Sequence, residues 1–147
     1  MSSRISLDNN NKYSFNNNLK KLFGEKCLIS NLDIDECERA HIIPISICKE
    51  SGLDDITFNK FNGLIINRIF HTQFEIEGGK PPDFTFKYIG PDENNIMMDK
   101  YEIILGGKYS NKNLLLNNYT GKIIKLYKSN WSFINFHKCI FDISNGI

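Results

Sequence analysis

The chain predicts an α+β fold in one domain, and three features of the sequence indicate it. Two strand-like runs near the centre are followed at once by a helix-like run. A hairpin-like pair of runs comes next, and an amphipathic helical pattern closes the chain. The length of 147 residues suits a single domain with its own core, which the aromatic content of 12% predicts to be rich in rings.

The N-terminal part predicts a short helix behind a flexible arm. The Asn-rich residues 1–15 have little to bury, so we expect a flexible arm there. Apolar residues then recur at helical spacing over 15–23 (Phe15, Leu19, Leu22 and Phe23), and Gly24 ends the pattern. CLIS at 27–30 predicts a short strand.

The centre predicts strand, loop, strand and helix. ECERAHIIP at 36–44 reads as a strand that ends at Pro44, and alternation places Cys37, Arg39 and His41 on one face and Glu36, Glu38 and Ala40 on the other. Residues 46–60 predict a loop with one helical turn. NGLIIN predicts the second strand, and Asn67 caps a helix over RIFHTQFE, which Gly78-Gly79 and Pro81-Pro82 stop.

The C-terminal half predicts a hairpin, a strand and a helix. DFTFKYI and MMDKYEIIL flank the turn sequence GPDENN, and GKIIKLY predicts a further strand. SNWSFINFHKCIFD predicts the final amphipathic helix, whereas KYSNKNLLLN gives no clear pattern.

Charge is unevenly distributed although the net charge is only +1. Residues 1–30 hold five basic and two acidic side chains and residues 100–147 seven and two, whereas residues 31–57 hold two and seven and residues 58–99 four and six. An acidic centre can hold a divalent cation and basic flanks can hold phosphates, although a solvated surface of patchy charge accounts for the pattern equally well. No apolar run is long enough for a membrane span and no secretory signal is evident, so we expect an intracellular protein without a membrane partner.

The cysteines do not form a metal-binding motif of the common type. Cys27, Cys37, Cys48 and Cys139 include no C-x-x-C pair, so we expect reduced, mainly buried thiols. A zinc site that uses Cys27 and Cys37 with other ligands is the alternative.

His41, His71 and Glu75 form the most informative constellation. Glu75 follows His71 by four residues and would share its helix face, and the compact strand–strand–helix unit can bring the end of the first strand against that face. Imidazole and carboxylate ligands can hold one divalent ion for phosphodiester hydrolysis, while a separate neutral imidazole takes a proton from water. Two histidines packed in an ordinary core are the alternative reading of the same spacing.

The segments ECERAHIIP and NGLIINRIFHTQFE resemble the HNH endonuclease family, in particular the branch with AHIIP followed by N-G-L-x-L-x-x-x-x-H-x-x-F-D. KKLFGEKCLIS upstream and YKSNWSFINFHKCIF downstream extend the resemblance over about residues 19–141. It implies a ββα-metal core at about 27–78 within a nuclease domain at 16–147, and a metal-dependent DNA endonuclease.

The resemblance also implies roles for single residues. His41 matches the general base, Asn62 the asparagine that ties down the loop and orients the base, and His71 the metal-binding histidine of the helix. Glu75 stands where the branch has Asp, as the second ligand of one divalent ion, with Mg²⁺ favoured and Mn²⁺ or Zn²⁺ as alternatives. Ala40 departs from the Asp or His that many family members have there, so water and phosphate oxygens would complete the ligand shell, with Glu38 as an additional candidate.

DNA is the expected partner. Arg39 lies beside His41 on the predicted strand face, and Lys122, Lys125, Lys128 and Lys138 form either a DNA-contacting surface or ordinary solubilising charge. One such site cuts one strand per event, so a double-strand break would indicate a homodimer. Two alternatives remain: a catalytically inactive DNA-binding protein with the HNH fold, and a structural protein of a virus or mobile element. His137 is expected to be a packed, hydrogen-bonded residue.

Overall fold

A computed structural model describes residues 2–31, 37–77, 80–106 and 117–146, with residues 2–10 described by their backbone. It has a mixed α+β architecture. The helices are α1 (Ser2–Phe23), α2 (Ile45–Glu50), α3 (Arg68–Phe74) and α4 (Trp131–Ser144), and the strands are β1 (Cys37–His41), β2 (Gly63–Asn67), β3 (Phe84–Pro91), β4 (Met98–Leu105) and β5 (Ile123–Tyr127). Short 3₁₀ turns lie at Asp54–Ile56, Lys60–Asn62 and Lys128–Asn130.

The strands β1 and β2 form an antiparallel pair that leads directly into α3. Cys37 pairs with Asn67 and His41 with Gly63, so His41 ends β1 opposite the start of β2. Asn67 ends β2 and caps α3, because its side chain accepts a hydrogen bond from the Ile69 N–H at 2.9 Å. The predicted central order of strand, loop, strand and helix is therefore confirmed, with β1 ending at His41 rather than Pro44.

The second sheet has the strand order β3–β4–β5 and is antiparallel throughout. The predicted hairpin is β3 with β4, and its register shifts between Tyr88 and Gly90. The final predicted helix is α4, whose His137 bonds to Thr85 of β3. The sequence therefore located the strands of this sheet and the helix that closes the chain.

The predicted N-terminal helix starts too late. We expected a flexible arm at 1–15 and a helix from Phe15, but the helical backbone begins at Ser2 and ends at Phe23. Gly24 ends the helix as predicted, with a positive φ of 75° that suits glycine. Phe15 and Leu19 pack on β2 at Gly63, where the Cβ of any larger residue would lie 2.5 Å from the Phe15 ring and 2.8 Å from Leu19. Glycine therefore allows the close approach of α1 to β2.

The strand predicted over CLIS is wrong. Residues 28–30 form a turn in which the Asn31 N–H bonds to the Cys27 carbonyl at 2.8 Å, and the Ser30 N–H approaches the Cys27 sulfur at 3.5 Å. The turn satisfies these two donors locally, and the Leu28 N–H donates to the Ile65 carbonyl of β2 at 3.0 Å. The sequence KYSNKNLLLN lies almost wholly outside the described residues, at 107–116.

An aromatic-rich core joins the two sheets. Phe70 and Phe74 of α3 contact Phe84 of β3, with ring centroids 6.5 and 5.4 Å apart. Phe74 also contacts Phe86 at 5.4 Å, and all four rings are buried. One face of α3 is thus anchored in the core, which fixes the position of its other face. No helix among the described residues is both long and apolar enough to cross a membrane.

Candidate functional site

A cavity of about 380 Å³ opens where β1 and α3 end, and four of the eight predicted site residues line it. We call it the histidine cavity and define it by residues from both elements: Arg39, His41, His71, Glu75 and Glu77. Pro44, Ile45, Ser46 and Ile76 complete its wall. Residues 30 or more positions apart in the chain therefore share one cavity of ligand size.

His41 is held between two aromatic rings at the inner side of this cavity. Its ring stacks on Phe15 of α1 at 4.4 Å with an interplanar angle of 15°, and Phe58 meets it edge-on at 5.7 Å. The Nε2 atom is buried and has no partner at normal hydrogen-bond geometry among the described residues. Burial lowers the pKa of His41 to about 4, with a backbone hydrogen bond to Thr57 opposing the shift and the positive charges of His71 and Lys12 adding to it. His41 is therefore a neutral imidazole at pH 7.

Asn62 is fully buried behind His41 and binds two loop segments at once. Its Oδ1 accepts from the Ile43 N–H at 2.8 Å, and its Nδ2 donates to the Ile43 carbonyl at 3.1 Å and to the Thr57 carbonyl at 3.3 Å. Thr57 is the residue whose backbone interacts with His41. Asn62 thus ties the segment that follows His41 to the loop that holds the His41 ring.

His71 projects from α3 and is oriented by a carboxylate on β1. Its Nδ1 lies 3.1 Å from Oε1 of Glu38, so Nδ1–H donates to the carboxylate, and Nε2 has a lone pair in the neutral form of the imidazole. A carboxylate on one nitrogen of a histidine is the arrangement that orients metal-binding imidazoles. Glu38 contacts α3, whereas His41 contacts α1. This agrees with the prediction that the two side chains lie on opposite faces of β1.

Glu75 reaches the cavity by a different route from the one predicted. It does not lie on the helix face with His71, because α3 ends at Phe74 and Glu75 is its extended C-cap, with φ −63° and ψ 134°. Its N–H bonds to the His71 carbonyl at 3.0 Å, which keeps the two residues together. Burial raises the pKa of Glu75, the charge of a protonated His71 lowers it, and the carboxylates of Glu77 and Glu38 raise it. Three carboxylates therefore lie near one imidazole.

The donor set fits a divalent cation with few protein ligands. No group of three or more His, Cys, Asp or Glu residues is arranged to hold a metal ion within the described ranges. His71 and the carboxylates of Glu75 and Glu77 are the donors that share the cavity, and the mutual repulsion of Glu38, Glu75 and Glu77 would be relieved by a cation. Ala40, where many HNH proteins have a ligand, is fully buried and offers none. The cysteines are free thiols, and Cys27 accepts hydrogen bonds from backbone N–H groups.

The predicted DNA-binding cations divide into two groups. Arg39 lines the cavity, where its Nε donates to the Asn16 carbonyl at 3.3 Å. The three lysines do not line it, and each binds a group of the protein: Lys122 the Ile29 carbonyl, Lys125 Asp92 at 3.2 Å and Lys128 Asp99 at 2.6 Å. Only Arg39 among these four residues is therefore placed beside the histidines.

Several residues that shape the site have weak or no signals in the sequence. Glu38 could be noted as an additional ligand candidate on β1, but its bond to His71 depends on where α3 packs. Phe15 and Thr57 carry no pattern that connects them with His41.

His137 is the packed residue that was expected, with no exposed surface. Its Nε2–H donates to the Phe74 carbonyl at 2.6 Å, its Nδ1 accepts from Thr85 Oγ1 at 2.7 Å, and its ring stacks on Phe74 at 3.9 Å. Burial lowers its pKa to about 4. It is thus a neutral side chain that holds the end of α3 next to Glu75.

Comparisons of the chain with protein-family models, curated proteins and solved structures give no significant match in any of the three.

Proposed function

We propose that this protein is a metal-dependent endonuclease of the HNH type, in which β1, β2 and α3 serve as the ββα-metal unit. The single observation that carries the proposal is the convergence of His41, His71 and Glu75 on the histidine cavity, with Asn62 buried behind the base. A chance pair of core histidines would not be expected to share a cavity with a carboxylate and an arginine.

His41 acts as the general base for the attacking water. Its low pKa keeps it unprotonated at neutral pH, as a base must be. One ring nitrogen interacts with the backbone of Thr57, and the other ring nitrogen, which carries no proton in the neutral imidazole, takes the proton from water. Phe15 and Phe58 restrict the ring, and Asn62 restricts the loop that contains Thr57, so the imidazole is held in position before substrate arrives.

His71 and Glu75 hold the divalent cation, for which Mg²⁺ is the first choice and Mn²⁺ or Zn²⁺ the alternatives. When bound, such an ion polarises the scissile phosphate and stabilises the departing oxygen. Glu38 orients His71 through Nδ1, which directs Nε2 to the ion. Two protein ligands leave several positions for water and phosphate oxygens, a pattern usual for Mg²⁺.

Arg39 binds the DNA phosphate that lies in the cavity. Its Nε is engaged by Asn16, which orients the guanidinium and leaves its remaining N–H groups for phosphate oxygens. Lys122, Lys125 and Lys128 contribute less than the sequence led us to expect, because each already has a partner within the protein. One cavity acts on one strand, so a single molecule nicks duplex DNA.

The second candidate function is a catalytically inactive DNA-binding protein with the HNH fold. The buried Ala40 favours it, because this position supplies no ligand and the described residues include no group of three metal ligands. In that case DNA would bind without being cut.

The test is nicking of a supercoiled plasmid with Mg²⁺, Mn²⁺ or Zn²⁺, and with EDTA. We expect metal-dependent nicking that falls at least about 100-fold in His71→Ala, which loses a metal ligand. Thr72→Ala is the matched control, because Thr72 is exposed on the same helix and bonds only to the Ile69 carbonyl. Nicking that persists in EDTA, or that is equal in the two variants, would rule out the proposed metal site, and binding without any nicking would favour the inactive protein.

A further inference from the structure

A second cavity, of about 330 Å³, lies between α4 and the sheet strands β3 and β4. We call it the aromatic cavity and define it by six of its residues: Lys87, Tyr88, Tyr101, Trp131, Asn135 and Lys138. None of them lines the histidine cavity. Ile134 also lines the cavity. With it, the residues from α4 lie at positions 131, 134, 135 and 138, which is helical spacing, so one face of α4 forms one wall of the cavity.

Two large aromatic side chains of this cavity are left open to solvent. Trp131 is 47% exposed and Tyr88 is 44% exposed, although both are ring systems that proteins usually bury to a greater extent. They approach from opposite elements, Tyr88 from β3 and Trp131 from α4. A flat aromatic ligand placed between these elements would stack on rings that are otherwise exposed to solvent.

The floor of the cavity contains a hydroxyl that lacks a partner. Tyr101 has no exposed surface, and its hydroxyl oxygen is buried with no hydrogen-bond partner among the described residues. Its ring meets Tyr88 edge-on at 5.6 Å. Tyr101 therefore contributes its ring to the cavity, and Asn135 is the neutral side chain there that offers hydrogen bonds to the edge of a ligand.

The charged and amide groups favour an anionic ligand with polar ring edges. Asn135 offers both a donor and an acceptor, and Lys87 forms no ion pair within the described residues. Lys138 forms an ion pair with Asp142 at 2.6 Å. The negative charge of Asp99 acts on Tyr101, and Asp99 forms an ion pair with Lys128 at 2.6 Å. Asp99 and Asp142 are thus paired with lysines. Lys87 lies opposite Glu102 in the β3–β4 register without forming an ion pair to it, and it remains to meet a phosphate.

We propose that the aromatic cavity binds one unpaired base of single-stranded nucleic acid, with the base between Tyr88 and Trp131 and its phosphate near Lys87. Stacking on aromatic side chains beside positive charge is how proteins hold single strands with little sequence preference. A cavity of about 330 Å³ has room for a single base. Binding there requires neither a metal ion nor cleavage at the histidine cavity.

Trp131 provides the measurement, because it is the only tryptophan in the chain. The full-length protein in EDTA is titrated with a short oligothymidylate while the fluorescence of Trp131 is followed. We expect saturable quenching, which Tyr88→Ala should weaken about ten-fold without removing the signal. Tyr13→Ala is the matched control, since Tyr13 is 71% exposed on α1 and lies outside the cavity. It should leave the affinity unchanged.

An abasic oligonucleotide of the same length distinguishes the contribution of the base to binding from that of the phosphates. We expect it to compete poorly with the oligothymidylate, because it has nothing to stack. Three outcomes would overturn the proposal: no quenching, equal affinities in Tyr88→Ala and Tyr13→Ala, or equal competition by the abasic strand. Since EDTA is present throughout, the result is independent of whether the histidine cavity cleaves DNA.

Discussion

Asn62 connects more of the candidate site than any other single side chain that the structure describes. It is buried completely and joins Ile43, two residues after His41, to Thr57, whose backbone interacts with the His41 ring. Its three hydrogen bonds satisfy the Ile43 N–H and add a partner to the carbonyls of Ile43 and Thr57. The orientation of His41 therefore depends on an amide that does not itself enter the cavity.

Replacing Asn62 should cost both stability and activity. Asn62→Ala leaves the Ile43 N–H unsatisfied and removes one partner from each of two carbonyls, so we expect the free energy of unfolding to fall by roughly 2–3 kcal/mol. Asn59→Ala is the control, because Asn59 is exposed and makes one local cap bond to the Phe61 N–H, worth about 1 kcal/mol. Urea unfolding measures both. Equal losses in the two variants would show that Asn62 has no special role.

The sequence predicts the identity of the key residues better than their surroundings. His41, Asn62 and His71 could be selected because each belongs to a motif with fixed local spacing. Phe15 and Thr57 could not, since stacking on His41 and the backbone bond depend on how distant segments pack. Glu75 was selected as a residue on the same helix face as His71. That reason is wrong, because α3 ends at Phe74, one residue before the predicted end, and local propensity does not determine where a helix ends.

At the scale of elements, α3 is short and is held at both ends. Asn67 caps its start, and at its other end His137 donates to the carbonyl of Phe74, one of the last four helix carbonyls, which have no partner within the helix. His71 and Glu75 lie on the final turn and C-cap between these contacts and the cavity. A helix of seven residues has little stability alone, so we infer that packing and capping keep the cavity in shape.

His137 should therefore affect cleavage although it lies outside the histidine cavity. We expect His137→Phe, which cannot donate to Phe74, to lose about ten-fold or more in nicking rate at a temperature where it remains folded. His137→Gln keeps a donor in a similar place and should recover part of the rate, which a loss of packing alone would not explain. Cys139→Ser, at an exposed position of α4, is the control. Equal rates in His137→Phe and the control would contradict this role.

Element prediction succeeded where periodicity and local capping agree and failed where tertiary contacts decide. The strands of both sheets and α3 follow alternation or a clear cap. The start of α1 could not be placed, because its Asn-rich first half has poor helix propensity and no apolar stripe. CLIS has the composition of a strand, yet its backbone bonds form a turn.

For the whole molecule, the half-buried His41 and the buried His137, both neutral, make the free energy of unfolding depend on pH. The pKa of both His41 and His137 is lowered to about 4, mainly by burial, whereas an unfolded histidine titrates near 6.5. Between these values the unfolded chain binds more protons, so stability is complete above pH 6.5 and falls as the pH drops toward 4. Burial raises the pKa of Glu75 and Asp83, which acts in the opposite direction.

We expect urea unfolding at pH 5 to show a clear loss of stability relative to pH 7. Each histidine can contribute up to about 3 kcal/mol over the full interval, since one pKa unit corresponds to about 1.4 kcal/mol. His137→Gln removes one titrating group and should reduce the dependence on pH by about half. A free energy of unfolding that is flat from pH 7 to pH 5 would mean that the histidines are not held neutral.

The central claim is that His41 activates water in a metal-dependent nuclease, and plasmid nicking by His41→Ala tests it most directly. With the metal that supports the wild-type protein, we expect the nicking rate to fall roughly 10²–10⁴-fold while Mn²⁺ and DNA binding persist. Added imidazole should restore part of the rate, because truncating the side chain leaves room beside Phe15 and Phe58. Nicking at the wild-type rate in His41→Ala would contradict the account.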